Sequence, residues 1–124
     1  MSTLTEQLST ILEELEAAIR DQGLDVTATA DPHAAAAALA AGAHAILVTA
    51  GPSIEFTTIT QREYTWTAWA LTGSGRDPVP ALEALEELLE IADQALWITT
   101  ARPYTLELAA GTFPGYEIEF TTHE

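Results

Sequence analysis

The stretch from Ala43 to Leu71 constrains this chain most: AHAILVT runs into Gly51-Pro52, then SIEFTTI, then QREYTWTAWAL. Ile46, Leu47 and Val48 form a short continuous apolar run of the kind found in a central strand. Beyond the Gly51-Pro52 turn, Ile54, Phe56 and Thr58 alternate with Glu55 and Thr57. Tyr64, Trp66 and Ala68 then face opposite to Thr65, Thr67 and Trp69. Threonine and aromatic side chains at period two suit a pleated, half-buried surface, so three successive strands are expected here.

An amphipathic helix flanks this block on each side. Thr3-Leu4-Thr5-Glu6 fits a capping box, and Leu4, Leu8, Ile11, Leu12, Leu15 and Ile19 then recur on one helical face. Glu13, Glu14, Glu16 and Asp21 fall off that face, and Gly23 suits the left-handed residue that ends a helix. The second helix runs from Val79 to Ala95, with Leu82, Leu85, Leu89, Ala92 and Leu96 on its apolar side.

Three further segments complete the pattern. LDVTATA, residues 24–30, alternates with modest side chains that suit an edge strand. Asp31-Pro32 offers an N-cap followed by proline at the first helical position, and the alanine run 34–41 reads as a short helix or as a loop. After Trp97-Ile98, Tyr104, Leu106 and Leu108 alternate on one arm of a closing hairpin, and Tyr116, Ile118 and Phe120 on the other. Gly111 to Gly115 is the expected connection. The three tryptophans are expected mostly in the core, but Trp66 and Trp69 differ by an odd number of positions and cannot share one strand face. The expected fold is therefore α+β: a mainly antiparallel sheet of five to six strands with two long helices on one face. Residues 1–124 read as a single domain without repeat or linker.

Charge narrows the function. Nineteen acids face four basic residues, Arg20, Arg62, Arg76 and Arg102, for a formal charge of −15. Such a chain repels phosphate, which argues against nucleic-acid binding by backbone neutralisation and against docking on anionic membranes. Cysteine is absent, excluding disulfides and thiolate metal sites. No apolar run approaches the roughly 20 residues that span a bilayer, and the N-terminal residues lack the pattern of a signal peptide, so cytosolic synthesis is expected.

Catalytic chemistry is hard to place. His33, His44 and His123 have no helical i, i+3 or i+4 partner and are expected to be exposed or incidental. Glu83, Glu86, Glu87 and Glu90 lack the histidine of a di-iron bundle and read as a solvated helix face. Glu117 and Glu119 share a strand face about 7 Å apart, a spacing common in sheets. Gly73-Ser74-Gly75-Arg76 lacks the pattern of a phosphate loop and reads as a turn. Neither a catalytic residue nor a cofactor is expected. The arginines suit interface contacts, because a guanidinium pairs with a carboxylate bidentately. The candidate contacts with other subunits are Arg62, Arg76, Asp77, Trp69 and Arg102.

The order of parts resembles the tail terminator proteins of long-tailed, siphovirus-type phages. The resemblance runs through the helix TLTEQLSTILEELEAAI, Asp31-Pro32, AILVTAGPSIEF and YTWTAWAL. It continues through ALEALEELLEIADQAL and the closing ARPYTLELAAGTFPGYEIEFTT, covering nearly the whole chain. The alanine run departs from it, since relatives have a shorter, proline-containing stretch there. The resemblance implies a structural virion protein rather than an enzyme. It would form a homohexameric ring at the neck of the virion, assembled in the cytoplasm of the host bacterium. Implied partners are the tail tube protein and a head–tail connector or stopper, with DNA passing through the lumen without specific binding. A stopper or tail-completion protein is the nearest alternative, and a small-ligand-binding α+β module a more distant one.

Overall fold

The structure is a computed structural model and describes residues 3–49, 51–59, 61–73, 78–108 and 111–123. Its elements follow the expected order: α1 (Leu4–Gln22), β1 (Val26–Thr29), α2 (Pro32–Ala40), β2 (His44–Val48), β3 (Ser53–Phe56), β4 (Arg62–Leu71), α3 (Pro78–Ala95), β5 (Ile98–Leu108) and β6 (Gly111–His123). The fold is α+β, with one six-stranded, mostly antiparallel sheet and three helices.

Local chemistry sets the helix ends. Thr3 Oγ1 accepts from the Glu6 amide at 3.1 Å, and Gly23 closes α1 at φ +69°. A cap of this kind stabilises a helix by about 1 kcal/mol. The alanine run is a helix. Asp31 accepts from the His33 amide at 2.9 Å, Pro32 begins the first turn, and Ala35, Ala36 and Leu39 are buried. Small side chains let α2 lie close against β1 and β2, forming the crossover that parallel strands require.

The strand order is β1-β2-β4-β6-β5, and β3 also pairs with β4. β1 is an edge strand as expected, but its pairing with β2 is parallel. β2 and β3 lie along the same side of β4, with Val48 opposite Ala68 and Ser53 opposite Thr65. Gly51-Pro52 falls in the break between them.

Alternation divides the sheet residues between two clusters. Ile46, Val48, Tyr64, Trp66, Ala68, Ala70, Ile118 and Phe120 share a core with Ile11 and Leu15 of α1 and Leu85, Leu88 and Ile91 of α3. Trp66 stacks on Phe120 at 6.4 Å between centroids, and its indole N–H donates to Thr122 Oγ1, which donates to Gln7 Oε1. On the opposite face, Ala35 and Leu39 of α2 join Ala45, Leu47, Leu71 and Phe113 in a smaller cluster.

Several expectations need correction. Trp97 is not a core residue. It is 76% exposed where α3 turns into β5, because neighbouring Leu96 takes the inward position. Leu82 is 56% exposed rather than buried, since α3 turns Ala81, Ala84, Leu85, Leu88 and Ile91 inward and Leu82 stands at the flank of that stripe. Gly111 to Gly115 is strand, not connection, and pairs with Tyr104 to Leu108. Pro114 fits there because β6 pairs with β4 only from Gly115 onward, so the missing N–H breaks no ladder bond on that side. His44 is half-buried in β2, its Nδ1 3.1 Å from the buried Thr72 Oγ1, and so is not incidental.

Candidate assembly surfaces

The first surface is the sheet face opposite the larger core cluster. Thr65, Thr67, Trp69 and Leu71 of β4 stand in register with Thr121, Glu119, Glu117 and Gly115 of β6. Glu119 and Glu117 in turn stand beside Thr100 and Arg102 of β5. Side chains at these alternate positions share one face. Leu71 lies within the cluster that α2 joins, whereas Thr65, Thr67, Thr121, Glu117 and Glu119 remain half-buried rather than enclosed.

Arg102 is the cation of this face. Its Nη2 lies 2.7 Å from Glu117 Oε1 and 3.5 Å from Glu119 Oε1. The two carboxylates expected to share a strand face are therefore bridged by one exposed guanidinium. Exposed pairs of this type contribute little stability, typically under about 1 kcal/mol. Their larger effect is to order the side chains and to cancel one unit of local charge. Farther along, Glu55 of β3 stands directly opposite Glu63 of β4.

Trp69 belongs to this face but not to open solvent. Its ring lies 6.5 Å from that of Tyr104 and packs against the smaller core cluster. Trp66 and Trp69 do fall on opposite faces, as their spacing requires.

The second surface is the β3–β4 hairpin. Amides of Thr57 and Thr58 donate to the Gln61 carbonyl and close its turn. All of β3 is exposed; Phe56 is 67% exposed and Ile59, in the turn, is fully exposed. Register places Ile54, Phe56, Arg62 and Tyr64 on one face and Glu55 and Glu63 on the other. Arg62 begins β4, with its guanidinium carbon 5.1 Å from the Phe56 ring centroid. The hairpin thus has an apolar, cationic face and an acidic one.

The third surface is a groove of about 410 Å³ at the other end of the sheet. Leu82 and Leu85 of α3 form one wall, and Pro103, Tyr104, Pro114 and Tyr116 form the other. A separate cavity of about 370 Å³ lies beside Trp97 and is lined by Gln7, Thr10, Glu14, Phe120 and Thr121. The Gln7 Nε2 atom is buried there without a partner among the described residues.

Of the residues expected to make contacts, Trp69 and Arg102 lie on the first surface and Arg62 on the second. Arg76 and Asp77 lie outside the described residues. Sequence reasoning missed Ile54, Phe56, Ile59, Leu82 and Tyr104 as exposed apolar groups. The signal for the first two was present: strands joined by a short turn and ending in Phe56-Thr57-Thr58-Ile59 extend beyond any segment able to cover them. Among the described residues, no three histidine, aspartate or glutamate side chains group as a metal site, and no helix is long and apolar enough to cross a membrane. No protein-family model, curated protein or solved structure matches the chain.

Proposed function

We propose that the protein is a structural virion component of the tail-terminator kind. Six copies form a ring on the completed tail tube of a long-tailed phage, stop its polymerisation and present a surface to the head connector. The chain works through surfaces rather than as an enzyme. It assembles in the bacterial cytoplasm and remains at the neck of the virion.

The observation that carries this reading is the sheet face bearing Thr65, Thr67, Thr121, Glu117 and Glu119. Hydroxyls and carboxylates there suit a lumen that lets a polyanion slide past, because like charge opposes adhesion. The same acidity opposes assembly, since six copies at −15 each bring 90 formal negative charges together. Screening by salt or magnesium therefore promotes ring closure.

Light scattering with and without magnesium, followed by addition of tail tube protein, tests the proposal. The expected result is a mass near six subunits and a limit on tube growth. A monomer that leaves tube length unchanged refutes it. The end of the tube that the protein occupies separates a terminator from a stopper or tail-completion protein. A small-ligand module has the cavity beside Trp97 in its favour, and a ligand screen by thermal shift examines that reading.

A further inference from the structure

The hairpin and the groove are complementary and lie at opposite ends of the same strand. Phe56 stands opposite Arg62 at the start of β4, and Leu71 at its end stands opposite Gly115, which lines the groove. Nine residue steps separate Arg62 from Leu71, about 30 Å at strand rise, so the hairpin cannot fold into its own groove.

We propose that the β3–β4 hairpin of one copy docks in the α3–β5–β6 groove of the next. Phe56 and Ile54 fill the space beside Leu82 and Tyr104, burying apolar surface that each copy alone leaves in water. Charge selects the partner. Arg62, on the apolar face of the hairpin, has no ion pair among the described residues, whereas the groove helix exposes Glu83 beside Leu82 and Glu86 one turn on. Copies carrying −15 each repel at long range, so a stable contact needs an apolar centre with a local cation facing carboxylates. This contact offers both. Because it joins unlike ends, it is heterologous, and successive copies close into a ring or run on as a filament. The contact deepens the ring reading and rests on it only for the number of copies.

The chain contains no cysteine, which makes introduced pairs unambiguous. Thr57→Cys, beside the hairpin contact, and Thr105→Cys, at the groove, replace exposed side chains and leave Ile54, Phe56 and Leu82 in place. The purified variants are mixed in magnesium at high concentration and treated with a short bismaleimide. The expected product is a single covalent heterodimer that neither variant gives alone, since each contributes one half of the contact. The double variant gives a ladder. A ladder ending at six supports contact and ring together. One ending elsewhere, or not ending, retains the contact and overturns the hexamer. No heterodimer, or tip-to-tip dimers of Thr57→Cys alone in its place, overturns the contact.

Discussion

Gly115 offers the sharpest test of the sheet's geometry. It sits in β6 with β4 on one side and β5 on the other, opposite Leu71 and Tyr104. A Cβ there would overlap the carbonyl oxygen of Ala70 and come within 2.8 Å of Leu71 Cδ2. The Leu71 side chain can rotate away, but the carbonyl belongs to the backbone of a strand held on both sides. Relief requires β6 to shift against both neighbours, which puts Gly115→Ala near the upper end of the usual overpacking range, about 3 kcal/mol. The reduced entropy of the unfolded chain returns about 0.7 kcal/mol. A net loss of about 2.3 kcal/mol, with a urea dependence of about 1.5 kcal/mol/M, lowers the unfolding midpoint by about 1.5 M. Urea titration followed by tryptophan emission reads this directly. Gly51→Ala is the control, because a Cβ there meets nothing within 4 Å. A midpoint for Gly115→Ala within about 0.3 M of the parent refutes the reasoning. So does an equal loss at Gly51.

Thr122→Val removes both the acceptor of the buried Trp66 indole N–H and the donor to Gln7, and is expected to cost about 1–3 kcal/mol with altered near-ultraviolet dichroism of tryptophan. Asp31→Ala removes the cap of α2 and should cost about 1 kcal/mol, with faster amide exchange in 33–36 than in α1. Arg62→Glu should leave the unfolding free energy in urea within about 1 kcal/mol of the parent, the scale of an exposed cation–π contact. It should nevertheless abolish self-association in light scattering. Added salt should raise the mass of the parent protein, and a fall instead would contradict the charge argument for ring closure.

What the sequence disclosed follows the range of the forces involved. The ends of α1 were legible because the Thr3 hydroxyl and the free conformation of Gly23 act within one turn. The opposite facing of Trp66 and Trp69 was legible because alternation is a property of the strand itself. The parallel pairing of β1 with β2 was not, since nothing in VTAT encodes the direction of its neighbour. Leu82 shows a similar limit: helical periodicity identifies an apolar stripe but not which edge of it turns inward. Trp97 follows from the same gap, at a helix–strand junction where neither period applies. The candidate surfaces were only partly legible. Alternation placed Glu117 and Glu119 on one strand face, but the groove joins α3 to β5 and β6 through contacts that exist only after folding.

The placement of β6 also governs the order in which the molecule can be made. β4 is synthesised well before β6, yet one whole side of β4 waits for residues 115–123. Until then REYTWTAWAL presents an unsatisfied edge, rich in strand-forming side chains, on the nascent chain. β5 waits for the same partner. Pairings that span this much sequence form slowly, because the intervening chain must first be ordered. The face proposed to line the lumen needs Glu117 and Glu119 from that late strand, so a nascent subunit lacks that face until its folding is nearly finished.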